Sequence, residues 1–249
     1  MRLSIDFMQK RELYQKARKG NEDIVVIEGV HAFKHAARFG AEFVDVVTPD
    51  RKFVINLMNQ IATEKDATIL ARCVKEVDEK LFREITTPAL RTQLVALAKK
   101  PQKKEVATEK VIVYLENPRD IDNVGATVRV AAAADAAAVY VSGEINPWHV
   151  HAIRAGAGLQ FALPVARVAT IEDVVDGRKI YACDADGVLM DKLSIEQDAV
   201  LVFGTERNGI SEALKDRADA IVAIPMREKV SSLNLATSVS AILYGACFK

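Results

Sequence analysis

Ala199-Val200-Leu201-Val202-Phe203 runs directly into Gly204-Thr205-Glu206-Arg207-Asn208-Gly209-Ile210, and Ile221-Val222-Ala223-Ile224-Pro225-Met226 leads on to Ser231-Ser232-Leu233-Asn234. Each begins as a short apolar run and ends in a polar, glycine- or proline-containing turn, the pattern of a buried strand followed by a loop. The second loop opens onto a last helix. In an open α/β sheet, ligands sit at the loops leaving the carboxyl ends of the strands. These two turns are therefore the candidate site, and the remaining chain is read as its support.

Working back from them, Val111-Ile112-Val113-Tyr114-Leu115 is a strand that turns through 117–123 into an alanine-rich helix from Val124 to Asp135. Ala138-Val139-Tyr140-Val141 is the next strand. A helix near 147–155, Gly156 and Gly158, a strand around Leu163–Val168 and another at Lys179–Cys183 follow. Forward of the site, a helix from about Ser232 to Phe248 carries Leu233, Ala236, Val239, Ile242, Leu243 and Ala246. Such a stripe has to be buried, on the sheet or on another subunit.

The first half alternates as well. A basic helix over 1–20 stops at Gly20, with a solvated face or an RNA-touching face equally open to it. Ile24–Ile27, a helix from Val30 to Phe39 and Phe43–Val47 form a β-α-β pattern. A helix over about 51–64, a strand Thr68–Ala71, a helix around Asp78–Arg83 and a strand Gln93–Leu97 complete it. Alternating strands and helices predict a compact α/β domain with much parallel pairing. Lys99-Lys100-Pro101-Gln102-Lys103-Lys104-Glu105 then breaks the pattern. The expected division is 1–98, a linker at 99–109, and a second domain at 110–249.

Composition narrows the class. The 249 residues carry 34 basic and 34 acidic side chains, so net charge favours no polyanion, although a local basic face suffices for RNA. Cys73, Cys183 and Cys247 lie far apart and form no C-x-x-C pair, which predicts free thiols in a reducing compartment. The N-terminus lacks a signal-peptide pattern, and no apolar run approaches the roughly 18–20 residues of a membrane span. A soluble, cytoplasmic protein is expected.

Several motifs fail on chemistry. The 204–211 turn has the glycine spacing of a phosphate loop and Ser211 in place. However, Ile210 stands where lysine is required and Glu206 would repel phosphate. Gly156-Ala157-Gly158 begins a dinucleotide fingerprint that Phe161 ends. His31 and His35 are one helical turn apart, and His149 and His151 alternate, but neither pair has a third clustered ligand, so no metal is expected. Ser232 lacks the setting of a hydrolase nucleophile, and a serine at a helix start commonly caps it. Arg129 lies in a helix otherwise of alanine and valine. On spacing alone, a buried salt bridge to Glu206 or Asp135 and a contact to an anionic substrate stand even.

Three stretches together resemble a known family. Asn123-Val124-Gly125-Ala126-Thr127-Val128-Arg129, Gly204–Ile210, and Ile224-Pro225-Met226 through Ser232-Leu233-Asn234 resemble, in order, the three motifs of the SpoU (TrmH) RNA 2′-O-ribose methyltransferases of the SPOUT superfamily. The match covers roughly 110–249. Val130 departs from the small hydroxyl residue that often follows the motif arginine, and the 227–230 loop is more charged than in many relatives. The first half is similar to the family's small ribosomal-protein-like α/β substrate-binding domain, most clearly at Val26-Ile27-Glu28-Gly29.

The resemblance implies a C-terminal trefoil knot, which general topology rules argue against. It implies S-adenosylmethionine as cofactor, lined by Gly204, Ile224, Met226 and Leu233, and a methyl-transfer centre of Asn123, Arg129, Glu206, Ser232 and Asn234. It also implies an RNA substrate, ribosomal rather than transfer RNA, no metal, and a homodimer using the last helix. A catalytic half beginning near Val106 is expected to dimerise and bind cofactor by itself. Transfer RNA as substrate, or a non-catalytic RNA-binding protein, are the alternatives. The intact residue set argues against the latter.

Overall fold

The computed structural model describes residues 5–18, 23–88, 90, 92–102, 105–205 and 208–247. Gly20 and Phe248, and with them the predicted ends of the first and last helices, lie outside the described residues, as do Glu206 and Arg207. Contacts divide the chain into two units. One comprises 1–102 together with 148–162, the other 103–147 together with 163–249.

In chain order the elements are α1 (Ile5–Arg18), β1 (Ile24–Glu28), α2 (Val30–Arg38), β2 (Phe43–Thr48), α3 (Arg51–Ile61), α4 (Glu64–Cys73), β3 (Val74–Glu76), α5 (Glu79–Ile85) and β4 (Val95–Lys99). Then come β5 (Ile112–Leu115), α6 (Ile121–Ala133), β6 (Ala138–Val141), α7 (Val150–Ala155), β7 (Val165–Arg167), α8 (Glu172–Val175), β8 (Ile180–Leu189), β9 (Val200–Phe203), α9 (Glu212–Arg217), β10 (Ala220–Ala223) and α10 (Leu235–Ile242). A π-helical turn follows over Leu243–Cys247. Among the described residues no helix is long and apolar enough to cross a membrane.

The first unit holds a four-stranded sheet in the order β1-β4-β2-β3. Contrary to expectation, only β2 and β3 pair in parallel, because β4 inserts between β1 and β2 and runs against both. The predicted strand Thr68–Ala71 is helical, within α4. Thr63 and Asp66 form a reciprocal capping box there, and the helix buries Ala67 and Leu70, so capping and packing override the β-branched pair Thr68-Ile69. The basic first helix is not simply solvated. Lys10 donates to Asp45 at 2.6 Å, Arg11 pairs with Glu84 at 2.8 Å, Arg18 pairs with the buried Glu28, and Tyr14 is fully buried.

Segment 148–162 joins this unit through its apolar side chains. Trp148 and Phe161 meet edge to face at 5.3 Å, and Val150 enters the core of Tyr14, Val26, Phe82 and Leu97. Gly158, at φ 76°, lies so close to Ala32 that a Cβ would sit 2.2 Å from its carbonyl oxygen. The histidines have local work here: His35 Nδ1 lies 2.8 Å from Ala157 O, and His149 caps α7 by accepting from His151 N at 3.3 Å.

The second unit holds a six-stranded, wholly parallel sheet in the order β10-β8-β9-β5-β6-β7. β5 and β9 are buried along their whole length, which is why they read as unbroken apolar runs. The sheet grows from β5 to β6 and β7 on one side, and the chain then crosses to β8 and β9 on the other. The carboxyl ends of β5 and β9 therefore flank the point where the order reverses. β8 is longer than its apolar start suggested. Against β10 its register passes from Ala182↔Ile221 to Val188↔Val222, so residues 183–187 bulge out of the ladder.

Candidate active site

The loops at the ends of β5, β9 and β10 carry the three motifs. After β5, Asp120 caps α6 by accepting from Asp122 N at 2.8 Å and Asn123 N at 3.4 Å. This fixes Asn123 in the first turn. Asn117, at φ 44°, donates its N–H to Ser142 Oγ at 3.0 Å, which ties the loop to the end of β6.

After β9 the chain closes a small ring. Thr205 and Gly209 exchange backbone hydrogen bonds of 2.9 and 3.0 Å, and Thr205 Oγ1 accepts from Asn208 N at 3.0 Å. Gly204 has to be glycine for this ring, since a Cβ would lie 2.0 Å from the Gly209 carbonyl carbon. Ile210 is buried. Ser211 caps α9 by accepting from Leu214 N at 3.3 Å, while its own N–H donates to Glu116 Oε2 at 2.8 Å. Glu206, expected in the centre, lies outside the described residues.

After β10, Ile224 and Met226 are half-buried, Ser232 is exposed, and Leu233 and Val230 are 40% and 46% exposed. Lys229 turns the loop at φ 70°, and Val230 N donates to Arg227 O at 3.1 Å. The helix cap is Asn234, not Ser232 as the sequence suggested. Asn234 Oδ1 accepts from Ala236 N at 3.0 Å and Thr237 N at 3.4 Å. Its Nδ2 donates to Asn123 Oδ1 at 2.8 Å, joining the first motif to the third. Behind that bond α10 packs on α6, burying Leu235, Ala236, Val239 and Ile242. The last helix thus spends most of its apolar stripe within its own chain.

Arg129 departs most from expectation. It is exposed, and among the described residues it has neither ion-pair nor hydrogen-bond partner. The alanines and valines around it belong to the opposite face of α6, where Val124, Thr127, Val128 and Ala131 are buried. Asp135, one candidate partner, pairs with Lys110 at 2.6 Å instead. An exposed guanidinium with no partner among the described residues is chemically suited to a phosphate.

The geometry fits the cofactor that the motifs imply. The coil 224–233 offers backbone polar groups next to the apolar Val230 and Leu233, a combination that suits an adenosine moiety with an amino-acid tail. Sequence reasoning did not find Glu116, which fastens the second motif's helix, or Asp184, whose carboxylate lies 3.0 Å from Lys215 Nζ. A carboxylate ending a buried strand was the available signal for Glu116. Nothing local marked Asp184.

Comparison with known proteins identifies the family. Residues 110–244 match the model of the SpoU rRNA Methylase family. An uncharacterized tRNA/rRNA methyltransferase of Archaeoglobus fulgidus is 32% identical over 148 residues, spanning 57% of this chain and 66% of that protein. The 23S rRNA (guanosine(2553)-2′-O)-methyltransferase RlmP of Bacillus subtilis is 23% identical over 94% of this chain and 92% of its own. In fold, the SpoU methyltransferase AviRb of Streptomyces viridochromogenes, solved with AdoMet, superposes with a TM-score of 0.77 at 23% identity, over 99% of this chain and 98% of that one.

Proposed function

The chain belongs to the SpoU rRNA methylase family, and from that premise we propose that it methylates a ribose 2′-hydroxyl of ribosomal RNA, with S-adenosylmethionine as methyl donor. The observation that carries the proposal is the Asn234–Asn123 bond, which brings the first and third motifs to one place although neither strand loop predicts the other.

S-adenosylmethionine supplies an electrophilic methyl group on a sulfonium centre. Gly204, Ile224, Met226 and Leu233 are the residues that would hold it, largely through backbone groups. The chain's own task is to present a weak nucleophile. Arg129 grips the phosphate next to the target ribose and stabilises the negative charge that develops on its 2′-oxygen. A guanidinium stays protonated, so it does not take the hydroxyl proton. That proton passes to a phosphate or to water. Ser232 orients the hydroxyl. Asn234 has both its oxygen and one N–H committed, so it holds the frame and offers at most the second N–H. Asn123 and Glu206 complete the centre, and no metal takes part.

Three finer features belong to the same reading. The C-terminal half is a trefoil knot; its support is that β10 lies beyond β8 at the sheet edge while the following coil returns to set α10 on α6. The first unit grips RNA as a ribosomal-protein-like domain, with Phe39 and Phe53, 47% and 41% exposed, as faces for unstacked bases. The enzyme is a cytoplasmic homodimer. Its support is that Val188, Val230, Leu233 and Tyr244 leave large apolar surfaces open in the second unit, and that Cys73 and Cys183 are free thiols.

The test is to map 2′-O-methyl groups in ribosomal and transfer RNA from cells lacking the gene, then to restore the missing group in isolated RNA with purified protein and labelled S-adenosylmethionine. Loss and restoration at one ribosomal nucleotide is expected. A lost site in transfer RNA would redirect the substrate, and unchanged maps with no transfer in vitro would overturn the activity.

A further inference from the structure

The helix α9, which follows the ring Gly204–Ile210, buries none of its side chains fully; Leu214 leans partly on the core. Apolar packing therefore contributes little to its docking, and polar contacts hold it. Arg217 pairs with Glu172 at 3.1 Å, but both side chains are about half exposed or more, so that pair contributes little. Lys215 and Asp184 differ: they meet at 3.0 Å with side chains only 21% and 16% exposed.

Asp184 sits in the bulge of β8 and works in three directions. Its Oδ1 accepts from Asp186 N at 3.3 Å, shaping the bulge itself. Its Oδ2 receives Lys215 and also lies against Gly209, where an added Cβ would be 3.4 Å away. At the other end of the bulge Gly187 presses on the Ile221–Val222 peptide, at which a Cβ would come within 2.6 Å. The bulge therefore braces both the ring after β9 and the strand that leads into the third motif. Burial opposes ionisation of Asp184, but the Lys215 ammonium and the N–H groups of Asp186 and Ala185 outweigh it and hold the carboxyl below its ordinary range.

We propose that Asp184 is a positioning residue for cofactor binding: by gripping Lys215 and backing Gly209 it keeps the Gly204–Ile210 ring in the shape that receives S-adenosylmethionine. This rests on the assignment of that ring to the cofactor. Asp184 itself need touch neither cofactor nor RNA.

The experiment titrates the full-length protein with S-adenosylmethionine by calorimetry, beside steady-state kinetics in cofactor and in RNA. Asp184→Asn and Lys215→Met are expected to weaken cofactor binding about tenfold, the scale on which one charged hydrogen bond acts. KM for cofactor rises with it, while kcat at saturating cofactor and KM for RNA stay near wild type. Lys215→Arg restores most of the affinity, and Glu172→Gln, on the exposed pair of the same helix, leaves it unchanged. Wild-type cofactor affinity in both Asp184→Asn and Lys215→Met would overturn the proposal. So would a uniform fall of melting temperature, kcat and RNA affinity with no selective loss of cofactor. Wild-type protein that binds no S-adenosylmethionine would instead overturn the assignment of the ring.

Discussion

Asn234 caps α10 with its side-chain oxygen and, with its nitrogen, donates to Asn123 Oδ1 at 2.8 Å on a helix 111 positions earlier. One amide thus does a local and a long-range task, and the two separate by substitution. Asn234→Ala loses both, and a lost cap alone costs about 0.5–2 kcal/mol. Asn234→Ser keeps a capping oxygen but has no group to reach Asn123. Thermal melts should therefore show Asn234→Ala clearly destabilised and Asn234→Ser close to wild type. Methyl transfer should fall in both. A fully active Asn234→Ser would show that the bridge between the motifs is dispensable.

Among the described residues Arg129 has no partner to lose, so its removal tests chemistry without the complication of folding. Arg129→Ala should melt like wild type, bind S-adenosylmethionine like wild type, and lose methyl transfer by about 100–1000-fold, the usual cost of one preorganised charge stabiliser. Arg129→Lys should recover little, because an ammonium lacks the planar fork that grips a phosphate. Wild-type turnover in Arg129→Ala would remove the residue from the mechanism.

At Gly204 the backbone leaves no room for a side chain: a Cβ would stand 2.0 Å from the Gly209 carbonyl carbon and 2.3 Å from Ile210 N. Gly204→Ala must open the ring closed by Thr205 and Gly209. Cofactor affinity, measured by calorimetry, should drop sharply, while the far side of the sheet and hence most of the melting enthalpy are retained. Unchanged affinity would take the ring out of the cofactor site.

Asp66 gives the first unit a defined acid sensitivity. The Arg38 guanidinium, aided by Thr63 against the effect of burial, holds its carboxyl at about 2 instead of 3.8. A carboxyl depressed on folding stabilises fully above its unfolded value and loses that contribution as pH falls through its folded one. The window is therefore pH 4 down to 2. Since Arg38 is 37% exposed, screening limits the contribution to on the order of 1–2 kcal/mol. Asp66→Asn should melt lower at pH 7 and show a flatter stability curve between pH 4 and 2. A wild-type slope in that variant would place the sensitivity elsewhere.

The second half was legible because its central strands are buried on both faces and read as uninterrupted runs. Its motifs sit where such strands end. What misled was local resemblance without context. Thr68-Ile69 has strand character, but the capping box at Thr63 had already begun a helix. Arg129 looked buried among small apolar residues because composition was read without the helical period; it shares the exposed face of α6 with Asp122, seven residues earlier. The Asp184–Lys215 pair and the Asn234–Asn123 bond join distant positions with no local mark.

Segment 148–162 carries the last prediction, and it reverses the expectation that a catalytic half starting near Val106 would stand alone. The segment lies between β6 and β7 in sequence but packs with the first unit. There Trp148, Val150, Ile153 and Phe161 are at most 6% exposed, and Val150 shares a core with Val26, Phe82 and Leu97. Removing everything before Val106 strips that core from around them. Exposing each large apolar side chain costs about 1.5–3 kcal/mol, a large fraction of the stability of a domain. The truncated chain should therefore bind the dye ANS strongly and aggregate, as read by light scattering. Replacing 148–162 in it by a short glycine-serine loop should restore a soluble, cooperatively melting protein. If the simple truncation is already soluble, monodisperse and cooperative, then the segment's attachment to the first unit is not what keeps it folded.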